Sequence, residues 1–383
     1  MRLHYINHTS FIKIFAGENM RRFKITFVIF IILQLYNITS MLMAQGIRPI
    51  RDNTGFCWNS SEMDELMKYL EYNAYNEEEF RSKDLVAAIS PHDDYLYAAS
   101  VYYPLYKLIK VKEVVIFGVT HGAVRKVMND PKNIIILDDY TYWHGPYGKV
   151  EISPLREIIK NNLNKNDFII SDSAQDIEHS IEALVPFLQY YNRNIKITPI
   201  MVTQMPFERM DQVSDELTKI ISGYISQNKL KPGEDIFFLI SSDANHYGKD
   251  FDNIPYGEDE SAHSNGTKND KRIAKNAFNG ILTKNKIETL TKELWGRPMD
   301  KPPSPVWCGK FSIPFGLLTI SKVIKSISSK ELNGNIYKYS DSWTEGVIPI
   351  KHTNLGLTAP FSLKHWVGWL SAGFYLSESN SDH

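Results

Sequence analysis

The chain contains little cysteine and carries almost no net charge. Its 383 residues include two cysteines, Cys57 and Cys308, and its 43 basic side chains are balanced by 44 acidic ones, for a formal net charge of −1. One disulfide would explain little of the stability of a chain this long, because its core can stabilise it. The near-zero charge gives no electrostatic reason to expect nucleic acid as a partner. Hydrophobic residues make up 43% and charged residues 23%, which excludes disordered, collagen-like and coiled-coil classes.

The apolar stretch near the N-terminus is short. Ile25–Tyr36 has twelve residues, whereas a membrane-spanning helix needs about 20. Basic residues precede it at positions 21, 22 and 24, and a small residue, Ala44, comes before a polar start, which is the layout of a secretory signal. We therefore expect residues 1–44 to be a signal peptide, with 1–19 as a possible over-extended start. The protein is then exported, as a periplasmic or secreted protein with no stable membrane span; the alternative is an uncleaved N-terminal anchor.

Four apolar runs of strand length each end in a polar cluster. They are Leu85–Ser90, Glu113–Val119, Ile195–Val202 and Asp235–Ile240. A sheet that is covered on both faces requires such continuous apolar strands rather than alternating ones. Lys196 and Pro199 interrupt the third run, which favours a position near a sheet edge.

Helical patterns lie between these runs. The predicted helices contain Val101–Lys112, Ile181–Leu188 and Phe315–Ile324. Pro186 falls within the second apolar stripe, where it would remove a hydrogen bond and kink the helix. Strands that alternate with helices predict an α/β, three-layer domain with a largely parallel or mixed central sheet.

Three further segments complete the organisation of residues 45–383, which we expect to form a single domain. The polar stretch Pro255–Lys271 is predicted to be a long surface loop, and one interpretation of this loop is a lid. Arg297–Pro305 is rich in proline and predicts a rigid connection into Trp307 and Cys308. Leu363–Tyr375 is predicted to be a late strand that closes the sheet.

Histidines and acids follow three of the strand runs. In open α/β sheets, ligands bind outside the carboxyl ends of the strands, so we expect His92, His121, Asp243 and His246 on one rim. A lone histidine after a strand is more often a hydrogen-bonded loop residue, but three in equivalent positions favour a metal site. Imidazole suits zinc, copper and iron, and a thiolate excludes magnesium and calcium.

Cys308 is the candidate sulfur ligand. Its position at the predicted start of a helix would lower the pKa of the thiol through the helix dipole, and Gly309 would allow a close backbone approach. In an oxidising compartment, a Cys57–Cys308 disulfide is the alternative. His246 is a candidate acid/base or fourth ligand, and Asp243 a group that orients an imidazole.

Glu178 and His179 open the second predicted helix. The simpler interpretation is that acids at a helix N-terminus complement its dipole. The alternative places Glu178 or His179 on the pocket wall as a proton-transfer residue.

Five motifs resemble those of the MEMO family, in the same order. They are SPHDDY at 90–95, GVTH at 118–121, EHSIEALVPFL at 178–188, SSDANHYG at 241–248 and WCGKFSIPFG at 307–316. The resemblance runs from about Arg48 to the C-terminus. Bacterial members of this family are called AmmeMemoRadiSam system protein B.

The resemblance implies the LigB-like fold of the class III extradiol dioxygenases. It also implies a single transition metal ion, iron or copper, on His92, His121 and Cys308, with Asp243 and His246 as further pocket residues. The chain departs from the family pattern at three places. Asp93 and Asp94 stand where many members have Ala-Gly, and we expect them to be solvated, with an oxygen ligand as the alternative. Val119-Thr120 replaces Pro-Ser, and Lys310 replaces an arginine, which removes a bidentate carboxylate clamp.

Three functions follow from these residues. The first is a redox metalloenzyme, dioxygenase-like, that acts on a small molecule. The second is an exported, non-catalytic copper- or iron-binding protein, which the sulfur ligand suits better, because non-haem iron oxygenases use two histidines and a carboxylate. The third is a metal-free hydrolase with Cys308 as nucleophile, His246 or His92 as base and Asp243 as the group that orients the base.

Overall fold

The computed structural model of the protein describes residues 46–73, 80–295 and 304–377. The predicted signal peptide and most of the proline-rich segment Arg297–Pro305 lie outside the described residues. Arg48–His383 forms one compact unit, with which the rest of this section is concerned. Within the described ranges, none of the helices has the length and apolarity needed to cross a lipid bilayer.

Strands and helices alternate along most of the unit. The strands are β1 (Ile47–Arg48), β2 (Leu85–Ser90), β3 (Glu113–Val119), β4 (Ile135–Leu137), β5 (Tyr142–Trp143), β6 (Val150–Ile152), β7 (Phe168–Ile170), β8 (Lys196–Val202), β9 (Ile236–Ser241), β10 (His246–Gly248), β11 (Gly280–Ile281), β12 (Glu331–Asp341) and β13 (His365–Ser377). The α-helices are α1 (Ser60–Asn73), α2 (Tyr95–Tyr106), α3 (Gly122–Val127), α4 (Pro154–Asn162), α5 (Asp172–Asp176), α6 (Val185–Tyr191), α7 (Phe207–Gln227), α8 (Glu260–Phe278), α9 (Lys284–Trp295), α10 (Ser312–Ser328) and α11 (Ser342–Glu345). Short 3-10 helices cover Glu182–Leu184 and Lys249–Phe251.

The centre of the sheet is parallel and one side of it is antiparallel. Strands β6, β8, β3, β9 and β2 are parallel neighbours in that order. Strand β13 then pairs antiparallel with β2, and β12 pairs antiparallel with β13. Strands β2 and β9 are buried along their whole length, as their uninterrupted apolar sequences require.

Helices cover both faces of this sheet and form two separate apolar cores. One core packs α7, α8, α9 and α10 against one face, and the other packs α1, α2 and α6 against the opposite face. The result is an α/β fold with three layers, so the fold class predicted from the sequence is confirmed. Because β2, β3 and β9 are parallel, their carboxyl ends reach the same edge of the sheet, where the polar clusters lie.

The expectation of an edge position for the third apolar run is wrong. Strand β8 lies inside the sheet, between β3 and β6. On the side away from β3, β8 pairs with β6 only up to Ile197 and with β4 only from Met201 onwards. Pro199 lies between these two pairings, so no inter-strand hydrogen bond on that side requires the N–H that proline lacks.

The prediction of a lid-like loop over Pro255–Lys271 is also wrong from Glu260 onwards, which is most of that segment. Helix α8 begins at Glu260, and the side chain of Asp259 caps it by accepting a hydrogen bond from the N–H of Ala262 at 2.8 Å. The buried face of this helix includes Gly266, Thr267 and Asp270, which are small or polar. Apolar residues at helical spacing occur on this face only from Ile273 onwards, beyond the segment predicted to be a loop, and the first half of the helix was missed for that reason.

Three predicted helices and one predicted strand are present in the structure, but they begin or end at other residues than predicted. The helix after the first strand ends at Tyr106, and the helix around Leu188 begins only at Val185, so Pro186 lies in its first turn and does not kink it. The third predicted helix is α10. The predicted late strand is β13, which lies between β2 and β12 instead of closing the sheet; β12 itself was not predicted.

Candidate metal centre

Three side chains from separate parts of the chain meet beyond the carboxyl ends of the central strands. His92 follows β2, His121 follows β3, and Cys308 lies in the turn before α10. One side-chain atom of each, a ring nitrogen or the sulfur, lies within 4.8 Å of the corresponding atoms of the other two. Cys308 Sγ and His92 Nε2 are 3.4 Å apart. The structure therefore brings together the three residues that the sequence proposed as ligands.

The imidazole of His92 has its tautomer set by a serine. His92 is 1% exposed, and its Nδ1 lies 2.7 Å from Ser241 Oγ at the end of β9. The Ser241 hydroxyl donates its proton to the carbonyl of Ser180 at 2.6 Å, so it must accept at His92. Nδ1 consequently carries the proton, and the lone pair of Nε2 points towards Cys308. Sequence reasoning missed Ser241; its place at the end of a buried strand was the available signal.

Glu178 orients the second imidazole. Its carboxylate accepts hydrogen bonds from His121 Nδ1 at 2.7 Å and from the His121 backbone N–H at 2.9 Å. Burial alone would raise the pKa of Glu178, but the neighbouring His121 and His179 outweigh burial and hold that pKa well below its usual range. An ionised Glu178 makes Nδ1 of His121 the protonated nitrogen. The lone pair of Nε2 is then available to a metal, in the carboxylate–histidine–metal arrangement.

A buried arginine fixes the segment that carries Glu178. The Arg48 guanidinium donates to the carbonyls of Gln175 at 2.7 Å and Glu178 at 2.5 Å, and it pairs with the buried carboxylate of Glu182. Glu182 in turn accepts from the backbone N–H of Arg51 at 2.9 Å. Glu178 is thus not one of the N-terminal acids of a helix, which was the simpler interpretation. It lies in a loop that these hydrogen bonds hold in place, and its carboxylate faces His121.

Cys308 is held by backbone contacts and not by a helix terminus. Helix α10 starts four residues later, at Ser312, so the predicted lowering of the thiol pKa by the helix dipole is wrong. Burial, followed by the charge of Asp243, raises the pKa of Cys308 well above its usual value. The Asp243 backbone N–H donates to Sγ at 3.1 Å, a contact that favours the thiolate. A cation bound at the site would favour the thiolate further.

Gly309 permits this position of Cys308. A β-carbon at Gly309 would lie 2.1 Å from Ser242 Oγ and 2.3 Å from Ser242 Cβ. Ser242 directly follows β9 and is buried, so a β-carbon at Gly309 would force one of the two segments to shift. The prediction that this glycine allows a close backbone approach is confirmed.

Asp243 and His246 lie at the same edge, in roles that differ in part from those expected. Asp243 Oδ1 accepts from the His92 backbone N–H at 2.9 Å, and Oδ2 lies 3.4 Å from His92 Nε2. Burial and the charge of Asp93 raise its pKa well above the usual range. The partners at the Nδ1 atoms of the two imidazoles are Ser241 and Glu178, so Asp243 is not the orienting group. His246 donates from Nδ1 to the Ala244 carbonyl at 3.2 Å, and burial lowers its pKa to about 4.

His179 stacks on the ring of His121. Their ring centres are 4.6 Å apart and the planes are 7° from parallel. Burial and the adjacent His121 lower the pKa of His179 to about 4, so the ring is neutral at neutral pH. His179 therefore lies on the pocket wall, as the second interpretation of this cluster has it, and not at a helix N-terminus.

Asp94 is not solvated, contrary to expectation. Its carboxylate is 2% exposed and accepts from the N–H of Thr358 at 2.6 Å and from the Thr358 hydroxyl. Asp93 accepts from Trp369 Nε1 at 2.9 Å. Burial, together with the mutual repulsion of the two carboxylates, raises the pKa of Asp94 to about 7. Through these hydrogen bonds, Asp93 and Asp94 connect the SPHDDY motif to Trp369 and Thr358 near the C-terminus.

Cys57 and Cys308 are both free thiols. Cys57 is fully buried in the core that contains α1 and α2, where burial raises its thiol pKa. Cys308 lies among the imidazoles at the sheet edge. The alternative of a disulfide between them is therefore wrong for this structure.

Two pockets adjoin the cluster. The first, of about 280 Å³, is lined by His121, His246 and Cys308 together with Arg125, Lys310 and apolar side chains; we call it the cationic pocket. The second, of about 290 Å³, is lined by His92 and His179 together with Asp52, Asp93, Asp94 and Arg51; we call it the acidic pocket. A small molecule in the cationic pocket would lie directly beside the donor atoms.

The donor set fits a transition metal ion. Two imidazoles are oriented by hydrogen-bond partners at Nδ1, and a sulfur lies within reach of both. Nitrogen and sulfur donors suit iron, copper or zinc and not magnesium or calcium. Fold and site together define a class: an α/β protein whose sheet edge carries a two-histidine, one-cysteine donor set.

Comparison with known families identifies the group within that class. The family model described as Memo-like protein matches residues 55–342, which is most of the chain. The chain therefore belongs to the Memo family, and the resemblance seen in its motifs is confirmed.

Curated relatives agree with this assignment. The chain is 31% identical over 176 residues to a MEMO1 family protein of Saccharolobus solfataricus, over 44% of this chain and 56% of that protein. It is 34% identical over 164 residues to a MEMO1 family protein of Aquifex aeolicus, over 42% of this chain and 54% of that protein. The match spans about half the length of these relatives. Their names give no activity.

Proposed function

We propose that this protein binds a single iron or copper ion through His92 Nε2, His121 Nε2 and Cys308 Sγ. The observation that carries the proposal is the orientation of both imidazoles: Ser241 contacts Nδ1 of His92 and Glu178 contacts Nδ1 of His121, which leaves Nε2 of each ring available, and His92 Nε2 lies 3.4 Å from Cys308 Sγ. Outer partners of this kind fix ligand geometry in known metal sites. Zinc is compatible with the same donors.

We further propose that the bound ion supports redox chemistry on a small molecule held in the cationic pocket. When bound, iron or copper would supply one-electron chemistry and a Lewis acid next to that pocket. His246 lines the same pocket and has Nε2 unoccupied, because Nδ1 donates to the Ala244 carbonyl. It is the candidate to accept or donate a proton at the substrate. Asp243, which has a carboxylate oxygen within 4.8 Å of a ring nitrogen of His246, and His179, which lines the acidic pocket, are further candidates.

The relation to extradiol dioxygenases does not carry their reaction to this chain. Those enzymes bind iron with two histidines and a carboxylate, whereas the third donor proposed here is a sulfur. A LigB-like fold is consistent with the mixed sheet and its two helical layers, yet fold alone does not define chemistry. A non-catalytic, metal-holding role is therefore the second candidate, and it is favoured by the thiolate donor.

A metal-free cysteine hydrolase has the least support. The nucleophile in such enzymes is a thiolate, and the surroundings of Cys308 raise the pKa of its thiol. The imidazole nitrogen in contact with Sγ is that of His92, which is buried and has a lowered pKa. A base of that kind is poorly matched to deprotonate such a thiol.

Elemental analysis tests the metal proposal. We expect about one equivalent of iron or copper in protein purified from its native compartment. His121→Ala and Cys308→Ala should each lose it, and His144→Ala, which changes an exposed histidine outside the cluster, should retain it. Equal metal content in all four proteins would refute the site. Oxygen consumption by the iron form on a panel of catechols would favour the enzyme, and copper without turnover would favour the binding protein.

We also propose that the chain is exported. The support is the sequence of the first 44 residues, with basic residues, a short apolar stretch and a small residue before Gln45. The intact mass of the protein from its native cell should correspond to a chain that begins at Gln45. A mass that includes Ile25–Tyr36 would favour the N-terminal anchor instead.

A further inference from the structure

The cationic pocket contains two positive side chains and no acidic one. Arg125 and Lys310 line it, and none of its lining residues is Asp or Glu. Neither side chain forms an ion pair within the described part of the chain. In the acidic pocket, which also adjoins the donor cluster, three aspartates accompany a single arginine. The two pockets therefore differ in the ionisable side chains that line them.

Both cations are fixed next to the proposed ligands by short stretches of backbone. Arg125 is one helical turn after His121 on α3, and its N–H donates to the His121 carbonyl at 3.0 Å. Lys310 is two residues after Cys308, and its Nζ lies 5.5 Å from the centre of the Phe311 ring. The remaining walls are largely apolar, with Val119, Val202 and Phe251 among them.

We infer that the cationic pocket binds a small organic anion, with its carboxylate or phosphate group at Arg125 and Lys310 and its apolar body against the valine and phenylalanine side chains. An anionic group is the natural counter-charge for two cations that have no acidic neighbour in the pocket, and Arg and Lys bind oxyacids with charge-assisted hydrogen bonds. The volume of about 280 Å³ suits a molecule near the lower limit of small-molecule ligands. This inference names the substrate class of the proposed function, and as a substrate site it rests on that function.

Benzoate and benzamide provide a matched pair of probes, because they share size and shape and differ in charge. We expect calorimetric titration of the metal-free, full-length protein to show benzoate binding about tenfold more tightly than benzamide. Phenyl phosphate in a third arm distinguishes a phosphate preference from a carboxylate preference. Arg125→Gln and Lys310→Gln should each remove most of the benzoate preference, and Arg125→Lys should retain part of it.

Lys126→Gln is the matched control. Lys126 is the exposed neighbour of Arg125 on the same helix and does not line the pocket, so this variant loses the same charge without touching the site. Equal affinity for benzoate and benzamide, undetectable benzoate binding at millimolar concentration, or equal losses in Lys126→Gln and Arg125→Gln would each overturn the inference. Metal content is measured on the same proteins as purified from their native compartment, before the metal is removed for the titrations: metal without anion preference refutes the subsite alone, and anion preference without metal in the purified protein refutes the metal centre alone.

Discussion

The carboxylate of Glu178 accepts two hydrogen bonds from His121, one from the backbone N–H at 2.9 Å and one from Nδ1 at 2.7 Å. It thereby fixes both the position of the chain at the end of β3 and the tautomer of the ring. The same carboxylate accepts from the backbone N–H groups of His179 and Ser180, both at 2.9 Å. One acid thus joins two segments that are more than fifty residues apart in the sequence.

Glu178→Gln is expected to weaken metal binding about 10- to 100-fold, the usual effect of removing an outer partner of a ligating histidine. The amide has no negative charge to hold Nδ1 protonated, so Nε2 becomes a poorer donor. Competition with a chelator measures the affinity, and circular dichroism checks that the fold is retained. Glu216→Gln, at an exposed pair with Lys219 on α7, is the control. Unchanged affinity in Glu178→Gln would contradict the assigned role.

The equivalent test at His92 uses two buried serines. Ser241 Oγ accepts from His92 Nδ1, whereas Ser312 Oγ donates to the Ser241 carbonyl at 3.1 Å and does not contact the ring. Ser241→Ala should lower metal affinity about 10-fold or more, because the ring loses the acceptor that fixes its tautomer. Ser312→Ala removes a comparable buried hydroxyl and should leave the affinity near the wild-type value. Equal effects of the two substitutions would mean that packing, and not ring orientation, is responsible.

The positions of the candidate ligands could be predicted from the sequence because parallel strands impose them. Apolar runs identify β2, β3 and β9, and the residues that follow them must share an edge of the sheet. His92, His121 and Asp243 were placed together by this reasoning alone. Cys308 lies in no such position, and it was proposed from its chemistry and from the motif around it.

The hydrogen-bond partners of the rings could not be predicted in the same way. Ser241 and Glu178 act through the direction of single side chains, which periodicity does not encode. The first half of helix α8 was not predicted, for a related reason. Gly266 lies on its buried face, where a β-carbon would come within 2.9 Å of the Trp366 ring. Close packing therefore leaves no space at this position for a large apolar residue of the kind by which a helix is recognised in a sequence.

Asp270 on α8 should make stability depend on pH. It is fully buried, and burial raises its pKa to about 7 although Trp307 Nε1 and the Tyr339 hydroxyl donate to it at 2.9 Å and 2.8 Å. An aspartate in the unfolded chain has a pKa near 3.9. Between this pH and about pH 7 the folded state binds one more proton than the unfolded state, so the free energy of unfolding falls as pH rises. The total decrease over this interval is on the order of 4 kcal/mol. Denaturant unfolding of metal-free protein from about pH 4 to 7 measures this.

Asp270→Asn isolates that contribution, because an amide does not titrate. The free energy of unfolding of the wild type, relative to the variant, should decline across the interval and level off above about pH 7. Asp215→Asn, at an exposed carboxylate on α7, is the control for the loss of one negative charge. A pH-independent difference for Asp270→Asn would show that its hydrogen-bond donors keep the carboxyl ionised throughout.

Gly309→Ala should displace Cys308 and abolish tight metal binding. The added β-carbon would overlap Ser242 Oγ at 2.1 Å, and overpacking of this kind costs about 1–3 kcal/mol while moving the backbone. Gly223→Ala is the control, since a β-carbon there meets nothing within 4 Å and should stabilise α7 slightly. Ser242→Gly in the Gly309→Ala background removes the atoms that clash, so it should restore metal content. If the double variant remains metal-free while folded, the close approach of these two segments is not what positions the sulfur.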